Sequence, residues 1–185
     1  MQVHGTIPSV FLRPVRAHAG SKQDPYPFLG FEEAAFQSLV YQHAERVRTL
    51  ALALLGSEKM ADEACLRVFS RAYTALAKHG EPWIELARLS IVQCRRLRWL
   101  AFLWRCLRQC QSGGQRDSRE GPGIYLLQRL PWNRRMLLAL REVGGLTLDQ
   151  VASVLDRSIE DVRSELLSAR LQLVRTVRGI NETNY

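Results

Sequence analysis

The stretch Leu146-Thr-Leu-Asp-Gln-Val-Ala-Ser-Val-Leu-Asp-Arg-Ser-Ile-Glu-Asp-Val-Arg-Ser-Glu-Leu-Leu-Ser-Ala-Arg170 decides the fold, because it reads as two short helices joined by a tight turn. Thr147 can cap a first helix, with Gln150 completing a capping box. Val151, Ala152, Val154 and Leu155 form its apolar face, and Ala152 is small enough to let a second helix cross close by. Asp156 falls where the chain must turn sharply, and Asp tolerates the left-handed region better than most residues. Ser158 then caps a second helix whose inward stripe is Val162, Leu166 and Ala169. This is the pattern of a helix-turn-helix, the usual means of placing a helix in the major groove. A plain helical hairpin within an all-α core is the alternative.

Outward from this segment, residues 124–180 form a small helical block. Pro131 suits the first turn of a helix running to Val143, and Gly144-Gly145 stops it. Residues 111–123, Gln-Ser-Gly-Gly-Gln-Arg-Asp-Ser-Arg-Glu-Gly-Pro-Gly, have linker composition. A second helical block spans 31–110. Phe36, Leu39, Val40, His43, Val47, Leu50 and Leu54 keep a three-to-four spacing that Gly56 ends. A further helix is expected from Glu58 to Lys78. Pro82 opens a third, rich in arginine: Arg88, Arg95, Arg96, Arg98, Arg105 and Arg108. Trp99, Phe102 and Trp104 interleave with these arginines and are expected to pack on their own domain, with stacking on unpaired bases as the alternative. Residues 1–30, with four prolines and no sustained period, read as a flexible leader. The fold class expected is all-α: two small helical domains joined by a flexible linker, the C-terminal one a helix-turn-helix.

Of 185 residues, 26 are Lys or Arg and 18 Asp or Glu, a net charge of +8 that favours a polyanionic partner. The cations are nearly all arginine, which suits bidentate contacts to phosphate and guanine. Cys65, Cys94, Cys106 and Cys110 lack metal-binding spacing and read as buried or idle thiols; no cofactor is implied. The apolar runs Leu50–Leu55 and Trp99–Trp104 are too short for a membrane span, and no secretory signal is visible. A cytoplasmic protein is the expectation. No glycine-rich phosphate loop or catalytic constellation is present, so an enzyme is not expected.

Both halves together resemble the small bacterial sigma factors of the extracytoplasmic-function type. Leu55-Gly56, Ala61-Asp62-Glu63-Ala64 and Val68-Phe69-Ser70-Arg71-Ala72-Tyr73 are similar to that family's second conserved region. Trp83-Ile84, Leu86-Ala87-Arg88 and Arg95-Arg96 resemble its −10 reading segment. Leu130-Pro131, Arg134-Arg135, Leu138–Leu140 and the helix-turn-helix resemble its fourth region. The resemblance implies a transcription initiation factor binding RNA polymerase core through Asp62, Glu63, Arg67 and Arg71. It implies promoter DNA contacts by Arg88, Arg95, Arg96 and Arg98 at the −10 element, and by Arg163, Ser164 and Arg170 at the −35 element. An anti-sigma factor is a further implied partner.

The chain departs from the family pattern at particular places. Leu66 and Arg67 stand where Gln and an acid are usual, which sets positive charge toward a positive partner surface. Glu165 and Ser168 replace basic residues on the recognition helix. A second reading follows from Leu66, Arg67 and Glu165: a sigma-like decoy or adaptor that binds protein and no longer initiates. An ordinary helix-turn-helix repressor is a third reading, which leaves the first domain without a role.

Overall fold

The computed structural model describes residues 29–75, 81–107 and 122–182. Seven α-helices occur in it: α1 (Leu29–Leu55), α2 (Glu58–Ala75), α3 (Pro82–Leu107), α4 (Pro122–Gln128), α5 (Trp132–Leu138), α6 (Leu148–Leu155) and α7 (Ile159–Glu182). Among the described residues there is no strand, and no helix is long and apolar enough to cross a membrane. The expected leader lies outside the described residues except for Leu29 and Gly30, which open α1. The expected end of the second helix at Lys78 and most of the linker also lie outside them. At the other end of the linker, α4 begins at Pro122, two residues inside the stretch read as linker. Pro122 is compatible with a first turn because a missing N–H costs nothing there.

The first block is a three-helix bundle. Val47, Leu50, Ala51 and Leu54 of α1 meet Ala61, Ala64, Val68 and Ala72 of α2, with Leu86, Ala87 and Cys94 of α3; all are fully buried or nearly so. The α1 stripe read from the sequence is thus the core seam, and each fully buried leucine contributes about 1.5–3 kcal/mol. Small residues on α2 let it approach α1 closely. Gly56 ends α1 with φ +71, and a Cβ there would fall 2.6 Å from Gln128 Cδ. That position therefore requires glycine for its backbone and for the α4 side chain resting on it.

In the second block Pro131 precedes α5, where the sequence placed it in the first turn, and its carbonyl accepts from Arg135 N at 3.0 Å. The expected helix to Val143 is realised in two parts. After Leu138 the chain widens into a π-helical turn, Ala139–Val143, closed by Gly144 N donating to Ala139 O at 2.8 Å. Gly145 then takes φ +65 and releases the chain toward the helix-turn-helix.

The two blocks share one hydrophobic core, and polar contacts lock them together. Arg46 Nη2 and Trp83 Nε1 both donate to Gly144 O, at 3.1 and 3.0 Å. Gln128 Nε2 donates to Ala53 O at 3.0 Å. Arg135 Nη1 donates to Leu54 O at 3.0 Å. Each of these acceptors is a carbonyl at a helix end, which the helix leaves without an internal partner.

Candidate nucleic-acid and polymerase interfaces

The helix-turn-helix forms as its local chemistry dictates. Thr147 Oγ1 accepts from Gln150 N at 3.2 Å, and Gln150 Oε1 accepts from Thr147 N at 2.9 Å, a complete capping box. Asp156 ends α6 at φ 53, ψ 54, in the left-handed region. Ser158 Oγ accepts from Asp161 N at 3.1 Å and starts α7. Val162, Leu166 and Ala169 are buried against the domain. The opposite face of α7 is open to solvent and carries Arg163 and Ser164. Arg170 is also exposed but pairs with Glu142 of the π turn at 2.5 Å. Glu165 pairs with Arg157 of the turn at 2.6 Å. That pair cancels one positive and one negative charge on the face a duplex would meet.

On α2, Asp62 turns toward α1 and pairs with Arg48 at 2.7 Å. Glu63 pairs with Arg67 one helical turn on, at 2.7 Å. Both acids among the four residues assigned to polymerase contact are thus paired with arginines of this chain. Arg67 and Arg71 instead line a cleft between α2 and α3, together with Arg95 and Arg96. Residues given two different roles from the sequence are brought into one basic site.

Arg88 and Arg98 of α3 face the second block. Arg88 Nη2 donates to Ser153 O of α6 at 2.9 Å, and Arg88 pairs with Glu85 at 3.2 Å. Arg98 lies 5.0 Å from the Trp132 ring centre, a cation–π contact with α5. Glu81, just before α3, accepts from Gln150 Nε2 at 3.1 Å. The start of α3, which the resemblance assigns to the −10 strand, is thus covered by the helix-turn-helix. The expectation that Trp99, Phe102 and Trp104 pack on their own domain is not met: they are 61%, 63% and 60% exposed. They lie on the C-terminal half of α3, with Trp99 bordering the cleft beside α2.

Arg135, Gln128, Arg46 and Trp83 hold the blocks together; the sequence named Arg135 and Trp83 only within family-like motifs, and Gln128 and Arg46 not at all. Arg135 is 8% exposed. Its guanidinium donates to Leu127 O, Gln128 O, Leu130 O and Leu54 O, and to Gln128 Oε1. Burial, and then the charge of Arg98, push Arg135 down to about 10, so it remains cationic at neutral pH. A cation embedded among Met136, Leu137 and Leu138 was the available sign that this arginine faces inward. Nearby, His43 stacks on Trp83 at 5.9 Å and Arg46 covers the same ring at 4.0 Å. Burial first, and Arg46 second, lower the His43 imidazole from its ordinary range.

Two of the cysteines are buried as expected. Burial pushes the Cys65 and Cys94 thiols up to about 11 and about 12, leaving both protonated and unreactive. Cys106 is exposed, and Cys110 lies outside the described residues.

This geometry defines an all-α protein with a C-terminal helix-turn-helix of the sigma-70 type: residues 124–173 match the family model described as Sigma-70, region 4. The resemblance to sigma factors of the extracytoplasmic-function type is borne out in the fold as a whole. CnrH, solved in complex with the cytosolic domain of CnrY, superposes with a TM-score of 0.61 at 21% identity, covering 80% of this chain and 90% of that one. The sigma factor RpoE, solved in complex with the anti-sigma factor NepR from Bartonella quintana, gives 0.57 at 13% identity, covering 78% and 97%. None of the curated proteins matches the chain in sequence.

Proposed function

We propose that this chain is a transcription initiation factor that binds RNA polymerase core and directs it to promoter −10 and −35 elements. Residues 31–110 act as the polymerase- and −10-binding domain, and residues 124–180 as the −35-binding domain, with 111–123 between them. The observation that carries this reading is the exposed face of α7, with Arg163 and Ser164 at the end that enters a major groove, in a region matching sigma-70 region 4. Arg163 is suited to guanine and Ser164 to either a base edge or a phosphate. Arg170 joins them once its pair with Glu142 opens. The protein does no chemistry of its own; it supplies address and strand opening to the polymerase, in the cytoplasm where transcription takes place. Both solved neighbours were captured with a protein bound, one an anti-sigma factor, which supports an anti-sigma partner here.

A second reading is favoured by specific contacts. Arg67 stands where an acid is usual, Glu165 neutralises Arg157, and Arg88 is engaged with Ser153. A sigma-like adaptor that binds protein without initiating fits these three. Binding of the full chain to core polymerase, compared with Arg67→Glu, separates the two. Tight wild-type binding supports the initiation factor. Wild-type failure rescued by Arg67→Glu supports the adaptor.

A further inference from the structure

Leu97 is the last buried residue of α3 among the described residues. From Arg98 to Trp104 every side chain is exposed except that of Leu103, which is half-buried. This stretch contains the run Trp99-Leu-Ala-Phe-Leu-Trp104, which has no charged side chain and no polar group but the two indole N–H donors. Successive helical residues are turned by about 100°, so such a run is apolar on every side of the helix. Phe102 and Trp104 stand on nearly opposite sides, yet both are more than half exposed, as is Trp99. A helix that is apolar all round belongs in a protein core or in a membrane, and the fold leaves most of this length in solvent. Arg95 and Arg96 lie one turn before Trp99, on the same side of α3, and both are exposed. From Leu86 to Arg108 there are six arginines and no acidic residue.

We propose that the C-terminal half of α3 binds the surface of an anionic lipid membrane, with Trp99, Phe102 and Trp104 at the headgroup boundary and Arg95 and Arg96 on lipid phosphates. Tryptophan settles at such a boundary because its ring is apolar and its N–H is not. Arginine reaches phosphate from the same helix while its stem lies along hydrocarbon. Leu100, Ala101 and Leu103 distinguish the occupant. Aliphatic side chains gain from acyl chains and offer nothing to a stack of bases. A rigid protein groove takes one side of a helix, whereas a fluid bilayer surface closes around both Phe102 and Trp104. Among the described residues no helix is long and apolar enough to cross a membrane, so the attachment is to the surface. The inference stands on α3 alone and does not require the chain to initiate transcription.

The test is flotation of the full-length chain with vesicles of phosphatidylcholine alone, of phosphatidylcholine mixed with phosphatidylglycerol, and of the same mixture with brominated acyl chains. The expected result is flotation with the anionic vesicles, weaker flotation with the neutral ones, and quenching of tryptophan fluorescence by the brominated lipid. Affinity for the anionic vesicles falls roughly tenfold in Phe102→Ser, through lost apolar burial. It falls roughly fivefold in Arg96→Gln, through one lost contact to the charged surface. Both side chains are exposed, and circular dichroism confirms that each variant is folded. Absence of flotation with the anionic vesicles would overturn the proposal. So would flotation without quenching, or with no loss in Phe102→Ser, since adsorption by charge alone needs no apolar run. A dimer that depends on Phe102 in sedimentation velocity, without flotation, would assign the run to a second copy of this chain. Binding of oligothymidylate that depends on Phe102, without flotation, would assign it to nucleic acid. Either result contradicts a membrane site.

Discussion

Arg135 and Leu54 are 81 positions apart in the chain, and the Arg135 guanidinium donates to the Leu54 carbonyl over 3.0 Å. This contact closes the C-terminus of α1 with a cation from α5, where the helix dipole favours positive charge. The same guanidinium ties Leu127, Gln128 and Leu130 at the end of α4. One side chain thus terminates two helices and joins the two halves of the molecule.

Replacing Arg135 by Met keeps most of the volume but leaves four buried carbonyls with one donor fewer each. The expected loss is about 3 kcal/mol, within the range for breaking a buried hydrogen-bond network. Urea denaturation followed by circular dichroism measures it. An unchanged midpoint would remove Arg135 from its role as the link.

Asp156 holds a left-handed conformation at the turn between α6 and α7. Asp156→Gly relieves the Cβ penalty, and Asp156→Val increases it by about 1–2 kcal/mol. Thermal melts should therefore rank glycine at or above wild type and valine below it. A valine variant as stable as wild type would contradict the turn geometry.

These contacts show why one part of the fold was legible and another was not. The helix-turn-helix announces itself through neighbours in sequence: Thr147 with Gln150, Asp156 at the turn, Ser158 with Asp161. The α1 stripe was legible for the same reason, since its period is local. The joining of the blocks depends on side chains meeting carbonyls about 60 to 100 residues away, as with Trp83 and Gly144, and no local pattern encodes that. The π turn was invisible because nothing in the local spacing of Ala139–Val143 departs from an ordinary helix; Leu140 within it and Leu146 after it are both fully buried. In the candidate site, Arg163 and Ser164 were named through the family resemblance, and the fold leaves both exposed on α7. The convergence of Arg67 and Arg71 with Arg95 and Arg96 was missed because it arises between two helices.

His43 provides a pH signature. Its folded-state affinity for protons is lowered, so the unfolded chain takes up a proton first as the pH falls. Its stabilising contribution is fully present above the ordinary histidine value of about 6.5 and declines as the pH falls below it. Stability measured between pH 8 and pH 5 should fall more in wild type than in His43→Gln. Equal pH dependence of the two would contradict this assignment.

The Arg157–Glu165 pair predicts a gain of DNA affinity on removing the acid. Glu165→Ala frees Arg157 for phosphate, so duplex binding should tighten and its salt dependence steepen by about one unit of slope. Fluorescence anisotropy over a salt series measures both. A variant with unchanged slope would show that Arg157 does not reach the duplex.

The most direct test is transcription by purified core polymerase, with and without this chain, on fragmented DNA from the source genome. The expected result is transcripts that start at discrete sites only when the chain is present, and that are lost in Arg163→Ala combined with Ser164→Ala. Binding to core polymerase with no discrete start sites would contradict an initiation factor and leave the sigma fold serving as an adaptor.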